Sequence, residues 1–123
     1  MNVNTVIVGG RLCAEPRVVK ITAESIACNI RLAINRKYRD RSGQAKEEAT
    51  FVDCVIWNKQ AEVAGKYLKK GSNVLITGRL HLDTWEQDGQ NRSRLVVWAE
   101  RFDFIDPKTQ THGANDGKSE IPF

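Results

Sequence analysis

The stretch Phe51-Val52-Asp53-Cys54-Val55-Ile56-Trp57 carries two large aromatics and one carboxylate in an order that a β-strand would sort by chemistry. Strand alternation sets Val52, Cys54 and Ile56 on one side, and Phe51, Asp53, Val55 and Trp57 on the other. The compact apolar set suits a core, which turns the aromatic set outward. A second stretch repeats the arrangement: Val74, Ile76, Leu80 and Leu82 take the core parity, while Thr77, Arg79, His81 and Trp85 take the other. Aromatics presented beside cations are the ingredients of a stacking platform for nucleic-acid bases. The plainer reading of Phe51, Trp57 and Trp85 is packing against a subunit, a loop or a neighbouring strand edge.

Other chemistries find little material. Asp53 stands alone between Phe51 and Val55, Glu47 and Glu48 fall in a loop, and His81 and His112 are far apart, so no constellation for metal-dependent hydrolysis appears. The expectation is a binding protein, not an enzyme, with no cofactor and no metal. Cys13, Cys28 and Cys54 are odd in number and lack C-x-x-C spacing, which reads as reduced core thiols in a cytosolic protein. His81 alone reads as incidental. Trp98, between Val97 and Ala99, is assigned to the core and left out of the site.

Nineteen Lys and Arg against fifteen Asp and Glu give a net charge of +4, a mild bias toward polyanions. Its distribution says more: Arg31, Arg36, Lys37, Arg39, Arg41 and Lys46 face a single acid, Asp40, between positions 31 and 46. A solvated loop is the plainer explanation of that lobe. No apolar run approaches the roughly 20 residues that span a bilayer, and the N-terminus has no signal or transit character, so the protein is expected in the cytoplasm without membrane contact.

Several elements must position these residues. A first strand runs over Val3 to Leu12, bent or bulged at Gly9-Gly10, and a second starts at Arg17 to Ile21 and resumes at Ser25, continuing to Ile34. Residues 35–50 lack either period and read as a long mobile hairpin loop carrying Tyr38. Lys59 to Lys70 take helical spacing, with Ala61, Ala64 and Leu68 on one stripe and Gly71 as the stop. Strands over Asn73 to Glu86 and Arg92 to Ile105 follow, joined by a turn containing Asp88-Gly89. This order predicts an all-β chain, a five-stranded OB-fold barrel with one helix between strands 3 and 4. The domain covers 1–106. Residues 107–123 have no periodicity and read as a short disordered tail.

Three internal stretches, Asn29 to Ala33, Ala61 to Gly71 and Val74 to Leu80, together with the terminal Ile121-Pro122-Phe123, closely resemble the bacterial single-stranded DNA-binding protein family. The resemblance implies sequence-independent binding and protection of single-stranded DNA in replication, recombination and repair. It also implies stacking of bases on Tyr38, Phe51, Trp57 and Trp85; parity alone had set the last three outward, whereas Tyr38 rests on the resemblance. Phosphates would run along Arg36, Lys37, Arg39, Arg41, Arg79 and Arg92.

A homotetramer is implied, as is a nucleoid-associated location. Ile121, Pro122 and Phe123 would form a tip that recruits replication, recombination and repair proteins. Relatives usually place several acids before that tip, but here residues 107–123 hold Lys108 and Lys118 against Asp116 and Glu120. Weaker, less salt-dependent partner binding is the expectation. The competing reading is a primosome-type or RNA-binding OB-fold protein, which comparison of DNA and RNA oligomers separates.

Overall fold

The alternation of Cys28, Ile30 and Leu32 against Asn29 and Arg31 is realised as a strand with one dry face, on which the three apolar side chains are at most 4% exposed. In this computed structural model, which describes residues 1–105, that strand is the third of six. The order is β1 (Val6–Leu12), β2 (Arg17–Lys20), β3 (Ile26–Arg39), β4 (Ala45–Trp57), α1 (Asn58–Tyr67), β5 (Asn73–Gln87) and β6 (Gln90–Ile105). Neighbours run β1-β5-β6-β4-β3-β2, and β1 also meets β3 at Arg11↔Ala33 and Leu12↔Leu32. Five strands therefore close a barrel with β2 appended outside the ring, and α1 falls between the third and fourth barrel strands as expected.

Burial explains why the barrel holds. Leu12, Cys28, Leu32, Cys54, Ile56, Val74, Ile76 and Val97 fill the interior, and Ala61 and Ala64 of α1 cover it together with Leu68 just past the helix end. Burying a Leu, Ile or Val side chain is worth about 1.5–3 kcal/mol each. Burial pushes the Cys28 thiol up, and burial, reinforced by the charge of adjacent Asp53, pushes the Cys54 thiol up to about 12. Both therefore stay protonated near neutrality. Cys13 is only half-buried and donates to the Arg31 carbonyl at 3.4 Å, so it is not the core thiol expected of it.

Four local expectations need correction. Residues from Arg17 to Ile34 form no single interrupted strand: β2 and β3 are a hairpin in register Lys20↔Ile26, closed where Ile21 N–H donates to the Ser25 carbonyl at 2.8 Å. The glycine pair in β1 produces no bulge. Its ladder with β5 is unbroken from Val6↔Gly78 to Arg11↔Asn73, and Gly10 instead lets β1 lie close against the Ala33 carbonyl. Residues 35–50 are no mobile loop, since the β3–β4 ladder continues to Arg39↔Ala45. That outer half is held by cross-strand pairing without burial, so it leaves no hydrophobic period in the sequence.

The fourth correction concerns Leu80 and Leu82, which share the core parity but are 43% and 53% exposed. They lie where the β5–β6 hairpin has run past the barrel. Its tip is a two-residue turn, Asp88-Gly89, with φ of 54° and 77°, the primed geometry that suits the twist of paired strands.

Candidate nucleic-acid interface

On β4 the outward set is as the alternation predicts, and the register extends it across the neighbouring strands. Ala27, Asn29, Arg31 and Ala33 of β3 lie opposite Trp57, Val55, Asp53 and Phe51. On the other side, β6 joins in parallel with Val55↔Trp98, and Arg79↔Trp98, His81↔Val96, Asp83↔Arg94 and Trp85↔Arg92 carry the same face along the β5–β6 hairpin. One surface thus runs from Phe51 to Trp85. It has an apolar floor of its own: Ala27, Val55 and Val96 are buried there beneath Trp57 and Trp98. Val55, expected outward, is only 8% exposed for that reason.

Trp98 is the principal correction within the site. A bulge sets it outward: the ladder steps from Thr77↔Arg101 to Gly78↔Ala99, leaving Glu100 as the extra residue on β6. Counting back by twos from the inward-packed Phe102 would bury Trp98, but the extra residue inverts parity and gives the interior to Val97. Gly78 makes the crossing possible, because a Cβ there would overlap the Trp98 carbonyl. The Trp98 ring then meets Trp57 edge-on at 5.5 Å and 73°, stacks on His81 at 3.6 Å and 18°, and has the Arg79 guanidinium 5.5 Å from its centroid. Only the bulge, invisible to a simple alternation, separates this arrangement from a core tryptophan.

The expected stacking residues are differently placed. Phe51 and Trp85 are 53% and 42% exposed. Arg31 lies 5.3 Å from the Phe51 ring, and Arg92 stands across the ladder from Trp85. Trp57 is half-buried against the apolar floor, its indole nitrogen enclosed without a hydrogen-bond partner among the described residues. Tyr38 is exposed with Arg36 5.1 Å from its ring. Its register, opposite Lys46, gives it the parity of Ile34 and Leu32, so it leaves the β3–β4 ribbon on the face away from Phe51.

The basic lobe is less free than the chain order implies. Arg36 pairs with Glu48 at 2.9 Å, Lys37 faces Glu47 across the ladder, and Arg39 donates to the Gly43 carbonyl at 2.8 Å. Between Asn35 and Ala49 the sequence holds Arg36, Lys37, Arg39, Arg41 and Lys46 against Asp40, Glu47 and Glu48, a net of +2. Asp40 organises the turn. Its Oδ1 accepts from the Ser42 hydroxyl at 2.7 Å, from Gln44 N–H at 2.9 Å and from Ser42 N–H at 3.0 Å. Those bonds, the Ser42 hydroxyl first, hold its carboxyl below its ordinary range. Arg41 and Arg92 have no ion-pair partner among the described residues, and Arg79 approaches Glu100 only at 3.9 Å.

Asp53, alone in the sequence, is paired in the fold. It accepts from Arg94 at 3.1 Å and lies 3.9 Å from Arg31, tying β6 to β3 across β4. A depression of about 290 Å³ beside it is lined by Arg17, Asn29, Arg31 and Arg94 among others. Arg17 and Arg94 are thus cations of this face that reading by motif missed, and Arg31, counted in the basic lobe, joins them, because only the register brings the three together. Among the described residues no group of three or more His, Cys, Asp or Glu is placed to hold a metal ion. No described helix is long and apolar enough to cross a membrane. Ile121, Pro122 and Phe123 lie outside the described residues.

Comparison with known proteins agrees with this geometry. A single-stranded DNA-binding protein of Wolinella succinogenes is 37% identical over 116 residues, covering 94% of this chain and 72% of that protein. The wild-type single-stranded DNA-binding protein of Thermus aquaticus superposes with a TM-score of 0.74 at 30% identity, over 87% of this chain but only 52% of that one. A Plasmodium falciparum SSB, solved in complex with single-stranded DNA, shares the fold with a TM-score of 0.77 at 23% identity, over 86% of this chain and 97% of that one. The sequence pattern of the single-strand binding protein family matches residues 3–105, nearly the whole described barrel, and the chain belongs to that family.

Proposed function

We propose that this chain binds single-stranded DNA without sequence preference, protecting it during replication, recombination and repair. The observation that carries the reading is the continuous outward face from Phe51 through Trp57 and Trp98 to Trp85, laid on a buried apolar floor and edged by Arg31, Arg79, Arg92 and Arg94. Bases lie on Phe51, Trp57 and Trp85, each stack contributing about 1–3 kcal/mol. Tyr38 adds a platform from the β3–β4 ribbon. Arg36, Lys37, Arg39, Arg41, Arg79 and Arg92 hold phosphates and release counterions. Duplex DNA hides its base faces, so preference for the unpaired strand follows. No bond is made or broken in this function.

A homotetramer fits the surfaces left over. Leu80, Leu82 and Leu95 form an exposed apolar face on the back of the β5–β6 hairpin, Leu82 directly across from Leu95. Among the described residues β1 pairs over Val6 to Gly10 with β5 alone, which leaves its other edge for a second copy. The division into a binding domain over 1–106 and a tail over 107–123, the recruitment of replication and repair proteins by Ile121, Pro122 and Phe123, and a nucleoid-associated cytoplasmic location belong to the same reading.

Tryptophan fluorescence titration with oligo-dT, oligo-rU and duplex DNA at several salt concentrations tests the proposal. Strong quenching by oligo-dT with a negative log–log salt slope is expected, steepening by about 0.7 per phosphate contact. Tighter binding of oligo-rU would favour the RNA-binding alternative, and absence of quenching by oligo-dT would refute stacking altogether.

A further inference from the structure

Between Trp57 and Trp85 the interface contains a pair of rings that the four expected stacking positions do not include. His81 lies nearly parallel to the Trp98 indole, with centroids 3.6 Å apart and planes 18° from each other. Trp98 is in turn braced edge-on by Trp57 at 5.5 Å. Both rings are half-buried; Trp98 packs on the floor of Ala27, Val55 and Val96, and His81 stands across the ladder from Val96. A half-exposed ring fixed on one face by a larger ring can take a third ring on its other face.

The position along the strand also matters. His81 and Trp85 share one face of β5 and are four residues apart, about 13 Å in extended backbone. An unpaired strand crossing from Trp57 to Trp85 passes over that interval.

Resting on the reading of this face as a path for single-stranded DNA, we infer that His81, backed by Trp98, is a further base-stacking residue lying between Trp57 and Trp85. Trp98 acts as a positioning residue that fixes the imidazole plane.

The experiment uses the full chain and oligo-dT, with wild type, His81→Ala and His81→Phe titrated at pH 8.0 and their thermal melts compared. At pH 8.0 the His81→Ala change is expected to weaken binding about 5-fold or more, while His81→Phe, which keeps a ring, stays within about 2-fold of wild type. Independently of any variant, the His81 ring protons of the wild type are expected to shift upfield in NMR spectra on adding oligo-dT. Equal affinity of His81→Ala and wild type, or ring protons unmoved by saturating oligo-dT, would each overturn the inference. Failure of the wild type to bind oligo-dT at pH 8.0 would instead defeat the underlying reading.

Discussion

Two hairpins project from the same barrel, and they are built on opposite plans. The outer β3–β4 ribbon is where the chain concentrates its cations, yet the returning strand brings Glu47 and Glu48 against Lys37 and Arg36, and the turn occupies Arg39 and Asp40 internally. The β5–β6 hairpin has fewer cations in sequence order, but Arg79, Arg92 and Arg94 share one face with His81, Trp85 and Trp98. Charge counted along a chain and charge available to a ligand are different quantities. The ladder decides the second, because cross-strand neighbours about 5 Å apart meet before any ligand arrives.

Stacking gives the largest contrast. Trp85→Ala is expected to cut affinity for oligo-dT by 10-fold or more, within the roughly 1–3 kcal/mol of one base stack, whereas Tyr38→Ala costs less than about 3-fold because Tyr38 leaves its ribbon on the face away from Phe51. The opposite ranking, measured by the same titration, would make the β3–β4 ribbon the principal platform. Salt dependence gives the next contrast. Arg92→Ala should lower the log–log slope by about 0.7, and Arg36→Ala by clearly less, since Arg36 must first leave Glu48. Equal slopes would mean that the pairing does not restrain Arg36.

Removing the restraint sharpens the same point. Glu48→Gln keeps the shape of the side chain and releases Arg36, so the slope is expected to steepen by up to about 0.7 with a gain of a few-fold in affinity at low salt. The gain stays small because an exposed pair of this kind is worth only about 0–1 kcal/mol. A loss of affinity on this substitution would show that Glu48 orients Arg36 for the strand.

The difference between the hairpins also marks what could be read from the sequence. Where a strand has one buried face, as at Phe51 to Trp57, period-two alternation registers it, and the aromatic set emerged from eight or fewer residues. Where a ribbon is solvated on both faces, as over Asn35 to Ala49, nothing periodic remains and a regular ladder reads as a loop. Trp98 failed for a third reason: the extra residue at Glu100 inverts parity midway along β6, and no local pattern announces a bulge. The ion pairs of Asp53 with Arg31 and Arg94 join three strands, and the partners are 22 and 41 residues away in sequence, a juxtaposition that closure of the barrel creates.

The smallest effect separates the two turns. The β3–β4 turn is tied by a titrating group, Asp40, whereas the β5–β6 turn relies on the positive φ of Asp88 and Gly89. The Asp40 carboxyl is held below its ordinary range by the Ser42 hydroxyl and the Gln44 N–H, so the stability it adds is present above the ordinary carboxylate value and is lost as pH falls through its depressed one. Acidification should therefore loosen the β3–β4 turn first. Amide exchange at Ser42 and Gln44, corrected for intrinsic rates, is expected to lose protection in that acid range while Gln90, closing the other turn across from Gln87, keeps its own. Asp40→Asn should produce the same loosening at neutral pH, since an amide oxygen carries no charge to strengthen three converging bonds. Because Tyr38 and Arg36 sit on this ribbon just below its turn, loosening it lowers oligo-dT affinity only slightly if the β5–β6 hairpin carries most of the binding. A loss in Asp40→Asn as large as in Trp85→Ala would reverse the ranking of the two hairpins.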